Sequence, residues 1–418
     1  MSTSPTIFHI DANSAYLSWS AISLLQQGYP SDLRDIPSVV GGNEKSRHGI
    51  VLAKSLPAKR FNIQTGESLR AAFAKCPDLI SVPPDYSVYM KASKAMVTIL
   101  QEYTRSLQRF SVDECFLDYT HMSDHFGEPL ECAHNIKERI KKELGFTVNI
   151  GVSSNKILAK MASDFSKPNK IHTLYSHEIQ EKMWPLPVRD LFMVGRRTEL
   201  KLHQLGIYTI GALAKADTHI LFSHFKSHGL LIQQYANGID DSIVRKSNHE
   251  LVKGMGNSTT MSFDAEDYET AYKVLLSLVE NVCMRLRSAK MSSRLIAISI
   301  TTNTFGYTSH QRKIDVPTDS TNDVYHVCKQ LFNELWQGTP LRKLGVSVSE
   351  LTDNDYVQMT LFDSNTLEKY KALDKCIDAI RLRYGNNAAG RACFLHSGIQ
   401  PMTGGIGEDD YPVMTSIL

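Results

Sequence analysis

Three carboxylates stand where a charge is costly to keep. Asp11 ends the apolar, β-branched run at 6–10, and Asp113-Glu114 interrupt the segment FSVDECFLDY at 110–119, flanked by Phe110, Val112, Phe116 and Leu117. Carboxylates set against an apolar sheet repel one another and lose solvation, which raises their pKa and calls for a compensating cation. Oxygen donors without a neighbouring histidine or cysteine suit a hard ion such as Mg2+ and argue against zinc. An Asp-Glu pair at a strand end can also bond backbone amides or an arginine, and the residues by themselves leave both readings open.

Two basic groups accompany them. Ser153-Ser154-Asn155-Lys156 opens a helix that runs through Lys160 to Phe165-Ser166-Lys167-Pro168-Asn169. Lysines near helix starts and turns suit phosphate oxygens, although a lone lysine on a helix is ordinarily solvated. Between 283 and 313 the chain carries Arg285, Arg287, Lys290, Arg294, Arg312 and Lys313 and no acidic residue. That is either a surface for a polyanion or a solvated face.

The elements that must position these groups follow from periodicity. The pattern predicts a buried strand at 6–10 with Asp11 at its mouth, a helix at 14–26, a short strand at 49–53 and a basic stretch at 54–60. A helix with Tyr89, Ala92, Met96, Ile99 and Leu100 on one face then precedes a single strand at 110–119. Next come a helix at 131–143, a strand at 147–153 and a helix from Asn155. Strands alternating with helices indicate an α/β or α+β core. Residues 186–241 carry helical patterns only. The polar stretch 240–260, with Gly254 and Gly256, reads as a linker. A helix at 268–288 and two alternating strands form a small α+β lobe ending near Leu351. A last helix at 367–384 has Tyr370, Leu373, Ile377 and Ile380 on one face.

The bulk numbers set the class. At 418 residues the chain is long enough for two to four domains. Its 42% hydrophobic and 22% charged residues are those of a globular protein, and no apolar run approaches the ~20 residues that cross a bilayer. The N-terminus does not read as a secretory signal, so a cytoplasmic location and no membrane partner are expected. Seven scattered cysteines, never spaced C-x-x-C, argue against a disulfide framework and a zinc site. A net charge of +2 does not by itself announce a nucleic-acid partner.

Several segments, in order, resemble the Y-family DNA polymerases, and within them the bacterial UmuC-type branch. They are HIDANSAY at 9–16, GIVLAKSLPAKRFNIQTG at 49–66, FSVDECFLD at 110–118, GVSSNKILAKMASDFSKPN at 151–169, LGIYTIGALA at 205–214 and ANGIDD at 236–241. The resemblance spans residues 5–395. It implies an α+β multidomain right hand: an α/β palm at 1–18 and 86–174, small fingers at 19–85, a helical thumb at 175–241, a linker at 242–254, an α+β little finger at 255–351 and a tail at 352–418.

The resemblance makes Asp11, Asp113 and Glu114, with the Ala12 carbonyl, ligands of two Mg2+ ions, for which Mn2+ can substitute. The activity it implies is translesion synthesis from dNTP on primer-template DNA, in repair and the SOS-type damage response. No exonuclease segment is recognisable, so low fidelity without proofreading is expected. Tyr16 falls at the family's steric gate against a 2′-hydroxyl; without the family it would read as a core tyrosine. Lys167 and Lys59 fall at triphosphate contacts. Many relatives carry a tyrosine and an arginine where this chain reads Ser55-Leu56-Pro57-Ala58-Lys59. Leu56 cannot donate to a phosphate, and Lys59 offers a point charge instead of a fork, leaving Ser55 or Arg60 to share the grip.

The segment MVGRRTELKLHQLGIYTIGALA resembles a helix-hairpin-helix that holds duplex phosphates, with Gly195 at its turn. The basic stretch falls in the little finger, along the duplex. Gln358, Leu361 and Phe362 match the bacterial sliding-clamp peptide, and accessory SOS proteins are further expected partners. The competing readings are a nucleotide cyclase, which also pairs carboxylates on a palm, and a non-catalytic DNA-binding descendant of a polymerase, whose mark would be a lost carboxylate.

Overall fold

The computed structural model describes residues 5–42, 47, 49–246, 252–353 and 365–402. They fall into two compact units, 5–42 with 50–246, and 47, 49, 252–353 with 365–402. In the first, a five-stranded sheet runs in the order Leu107–Arg109, Glu114–Asp118, Ile7–Ala12, Val148–Ser153, Ile171–Thr173. The strand Ile7–Ala12 is buried along its whole length and antiparallel to both neighbours, placing Asp11 opposite Glu114 on one side and Asn149 on the other.

Period-two alternation sorts its side chains. Phe8, Ile10 and Ala12 join Tyr89, Met96, Ile136 and Ile140 beneath the helices Tyr86–Gln101 and Pro129–Leu144. Ile7 joins Phe116, Ile157 and Met161 under the helix Lys156–Asp164, and His9 on that side bonds Ser163 at 2.8 Å. That helix lies directly on the sheet because residue 151 has no side chain. A Cβ at Gly151 would fall 1.9 Å from the Ala159 carbonyl oxygen.

The expected single strand at 110–119 is a hairpin, Leu107–Arg109 paired with Glu114–Asp118. The N–H groups of Phe110 and Ser111 both donate to the Glu114 carbonyl, at 2.9 and 3.1 Å, and the Ser111 hydroxyl donates to Asp113 Oδ1 at 2.6 Å. Alternating apolar residues read as a strand, but serine and aspartate offer the backbone local bonds that close a turn. Asp113 therefore sits on the turn and Glu114 begins the strand.

A smaller sheet, Val51–Lys54, Ser38–Gly41 and Ile80–Val82, carries the short helix Leu56–Lys59, capped where the Ser55 side chain accepts from the Ala58 N–H. Residues 196–236 hold the helices Arg196–Gln204, Ile210–Ala214, Thr218–Phe225 and Ser227–Ala236, as the helical patterns predict.

The second unit is an antiparallel sheet ordered Tyr307–Thr318, Met291–Thr302, Leu341–Asp353, Gly254–Ala265, with Tyr268–Ser288 and Thr321–Leu335 packed on one face. The stretch 240–260 is thus not all linker. Gly254 and Gly256 belong to an edge strand, where a Cβ at Gly254 would lie 2.7 Å from the Val348 carbonyl oxygen. Glycine here marks close approach of two backbones.

The tail helix Asn365–Tyr384 forms, but it docks by the other side. Tyr370, Leu373 and Ile380 are exposed, whereas Asp374 and Arg381 are buried. Arg287 meets Asp374 at 3.2 Å and Asp378 at 2.5 Å, while the buried Glu280 receives Arg381 and Arg391, each at 2.9 Å. Breaking a buried ion pair from one side strands the other charge, at a cost of about 3–5 kcal/mol. Glu280→Gln should therefore lower the urea midpoint of the lobe and expose 365–402 to protease. Replacing Glu280 and Arg381 together by leucine should restore much of that loss, and a single variant as stable as the parent would show that the network holds nothing.

Candidate active site

The ends of two adjacent strands form an acidic corner. Asp11 is the penultimate residue of its strand, and the Ala12 N–H donates to the Asp113 carbonyl at 3.0 Å, tying the strand mouth to the hairpin turn. Two lysines offset part of the corner's charge. Lys167 donates to Asp11 Oδ2 at 2.9 Å and pairs with Asp164 at 2.8 Å, and Lys160 donates to Glu114 Oε1 at 2.7 Å.

Burial drives the Asp11 pKa up to about 7; the Lys167 charge opposes this, and the Glu114 and Asp113 charges add to it. Burial also raises Asp113, against the bond from Ser111. For Lys167 burial pulls downward, but Asp11 and Asp164 outweigh it and hold the ammonium above its usual range. The two partners thus move in the same direction, because desolvation dominates at the more enclosed Asp11.

A carboxyl whose folded pKa is raised from 3.8 to about 7 binds more protons folded than unfolded between those values, so its contribution to stability falls as pH rises through them. Without divalent cation, the parent should therefore lose more stability than Asp11→Asn between about pH 4 and about pH 7, the limits of that window. Urea midpoints at the two pH values check this, and parallel losses would place the strain elsewhere.

Among the described residues, no three His, Cys, Asp or Glu side chains close around one point as ligands of a bound ion would. Asp11 and Glu114 are turned onto ammonium groups instead, and Asp113 meets the Ser111 hydroxyl. The donor set nevertheless fits a hard divalent cation: clustered carboxylate oxygens with backbone at the strand mouth, and an excess of buried negative charge that draws lysines in.

Tyr16 lies in the first turn of the helix Ala15–Gln26, whose N-cap Ser14 takes a left-handed φ of 46°. Its ring stacks on Tyr89 at 4.4 Å and 7° and meets Tyr86 edge-on at 6.1 Å. Lys59 and Arg60 are exposed at the end of the Leu56–Lys59 helix. The Ser55 hydroxyl is committed to the cap, to the Ser38 N–H and to the Ile36 carbonyl, so it does not share in binding phosphate.

Two buried asparagines missing from the predicted site hold the Lys167 loop. Asn13 Oδ1 accepts from the Asn169 N–H at 2.8 Å and from the Thr147 hydroxyl at 2.9 Å. Asn149 donates to the carbonyls of Ser163 and Ser166, at 3.0 and 2.6 Å, and accepts from the Lys170 N–H at 3.1 Å. The signal was Asn149 itself, a poor strand former inside an apolar run. Lys160, read in the sequence as a lysine suited to phosphate, meets the Glu114 carboxylate instead.

Lys156 is not a phosphate ligand. It is fully buried, donates to the Ile243 carbonyl at 3.2 Å, and its helix N-terminus is taken by Asp240, which accepts from the Ile157 N–H at 3.1 Å.

Gly195 caps the helix Arg196–Gln204 with open space beside its Cα. The six basic residues at 283–313 do not share a face. Arg287 is turned into the tail helix and is not a surface cation. Arg312 bonds Gln330 and Glu334 of the helix layer, whereas Lys313, one residue on, points to the opposite face and pairs with Glu350 at 2.6 Å. Arg294 bonds the Asp315 carbonyl and Arg285 that of Gly256, while Arg285 and Lys290 remain exposed. Gln358, Leu361 and Phe362 lie outside the described residues. No helix among the described residues is long and apolar enough to cross a membrane.

The chain matches the family model described as impB/mucB/samB over residues 10–164, that family's C-terminal domain over 252–361 and its HHH motif over 176–207. A protein named DNA polymerase IV from Clostridium acetobutylicum is 49% identical over 94% of this chain and 98% of its own length. The Acetivibrio thermocellus protein of that name is 36% identical over 93% and 97%. Bacillus subtilis DNA polymerase IV 2 is 36% identical over 93% and 94%. Among solved structures, a Y-family DNA polymerase chimera of Dbh and Dpo4 superposes with a TM-score of 0.70 at 23% identity, over 84% of this chain and 100% of that one, a likeness of fold. With the acidic corner, its lysines and the four-stranded lobe in place, these matches establish that the chain belongs to the impB/mucB/samB family of Y-family DNA polymerases.

Proposed function

We propose that this translesion-type DNA polymerase joins dNTP to a primer 3′-hydroxyl at the acidic corner, with Asp11, Asp113, Glu114 and the Ala12 carbonyl holding two divalent cations, Mg2+ with Mn2+ able to substitute. The observation that carries the reading is the partly neutralised corner: three carboxylates on adjoining strand ends, two of them met by lysine ammoniums. When bound, the cations activate the hydroxyl and offset charge on the triphosphate. Lys160 keeps Glu114 aligned from the helix that covers the sheet. With cations held at Asp11, Lys167 would be free to meet the triphosphate with Lys59, and the Asn13 and Asn149 bonds keep its loop in reach. The Tyr16 ring lies under the sugar. Little side-chain covalent chemistry is needed.

The palm, fingers, thumb and little finger take the boundaries given above, with the little finger beginning at Gly254. Duplex phosphates meet the Gly195 turn and the exposed cations Arg285, Lys290 and Lys313. Residues 358–362 bind the sliding clamp, SOS accessory proteins join at damage, and the enzyme works in the cytoplasm. Primer extension across an abasic site, with Mg2+ and then Mn2+ as sole cation, tests the reading. Products that continue past the lesion support it, and no extension on an undamaged template with either ion overturns it.

A further inference from the structure

We propose that the tip of the hairpin joining Met291–Thr302 to Tyr307–Thr318 is a stacking platform for an unpaired base of the DNA substrate, an inference that rests on the polymerase reading. Phe305 and Tyr307 are 72% and 69% exposed. Left mostly in water, the two rings add little burial to the fold, and the tip is held too firmly for that exposure to be fraying. The Thr302 N–H donates to the Gly306 carbonyl at 2.9 Å and the Phe305 N–H to the Thr302 carbonyl at 3.0 Å. The Thr302 hydroxyl accepts from the Gly306 N–H at 3.0 Å, and the Asn303 N–H reaches the Pro340 carbonyl at 2.9 Å.

Phe305 also sits in the left-handed region, with φ at 66°, although a glycine is its next neighbour. An aromatic residue there is strained, and such strain collects at functional positions. The three-residue turn calls for a left-handed residue at this position, and the chain fills it with an aromatic where glycine would be unstrained.

The surroundings select the partner. Ile296, Ile298 and Ile300 are buried under the helices, so Thr301 faces away from them. Tyr307 and Lys343 pair with Thr301 from either side and share that open face. The next row, Ser309, Ser299, Gly345 and Ser258, is small and hydroxylic, giving low relief. The Arg342 guanidinium lies 5.2 Å from the centroid of the Phe305 ring. A peptide-binding groove would add aliphatic walls, but the neighbours here are Thr301, Asn303, Thr304 and Ser309. Flat rings in polar surroundings, next to cations, match a planar base with its phosphate.

The test compares the parent with Phe305→Gly/Tyr307→Ala, on a fluorescent primer-template with a single-stranded 5′ overhang and on the same duplex made blunt. Relief of the left-handed strain should leave the melting temperature at or above the parent's. Affinity for the overhang DNA should fall about tenfold, as for loss of one stacked base, while blunt-duplex affinity stays within about twofold, inside the scatter of that estimate. Quenching of 2-aminopurine placed in the overhang should be lost with it. Equal binding of overhang DNA by both proteins, or equal weakening on both DNAs, would overturn the platform. A parent that binds neither DNA would instead overturn the polymerase reading.

Discussion

Asp113→Ala is expected to slow nucleotide addition by about a thousandfold or more, close to 4 kcal/mol of transition-state stabilisation, while leaving primer-template affinity nearly unchanged. The carboxylate stands on the turn of a hairpin whose other role is structural, since the Ser111 hydroxyl bonds it at 2.6 Å and the Ala12 N–H bonds its carbonyl. Alanine removes both the charge and the turn's side-chain bond. Asp113→Asn separates them, because the amide can still accept from Ser111. Loss of rate in both variants assigns the effect to charge, whereas an asparagine variant with parental kcat would reduce Asp113 to a turn former. Duplex binding is read by anisotropy on the same preparations. A parallel loss of DNA affinity would mean that the corner, not the outer lobes, holds the duplex.

Ribonucleotide exclusion should collapse in Tyr16→Ala, with selectivity for dNTP over rNTP falling about a hundredfold, or ~2.7 kcal/mol. The prediction depends on a ring that cannot yield. Tyr16 is clamped against Tyr89 at 4.4 Å, and Tyr89 is itself buried and bonded through its hydroxyl to Ser20 at 2.9 Å. A ring held in an aromatic stack resists displacement by one extra hydroxyl. Tyr16→Phe keeps the ring and the stack, so it should discriminate like the parent. If alanine leaves the ratio of kcat/KM values unchanged, the gate is another residue. If phenylalanine loses it too, the hydroxyl and not the bulk is responsible. Melting temperatures of both variants separate either result from a loosened core.

Much of this protein was determined by short-range pattern. The apolar run ending at Asp11, the helix that follows, the strand at Val148–Ser153 with its Asn155-capped helix, and the ordered motifs that carry the resemblance are local statements, and the structure places them as read. Pairing between distant segments decided the rest. The segment 110–119 alternates like one strand, yet partnership with both Ile7–Ala12 and Leu107–Arg109 makes half of it a turn. Gly254 and Gly256 read as slack because no local cue reveals a strand some 90 residues on whose backbone lies against them. The tail helix showed an apolar stripe, but Glu280 and Arg287, far upstream, recruited the charged side instead. Lys156 and Lys160 looked alike in sequence, and only their neighbours, the Ile243 carbonyl for one and Glu114 for the other, made one structural and one part of the site. Periodicity records which residues prefer to leave water. It does not record which buried charge or open carbonyl a polar side chain will meet, because that partner lies elsewhere in the chain and is supplied by the tertiary fold.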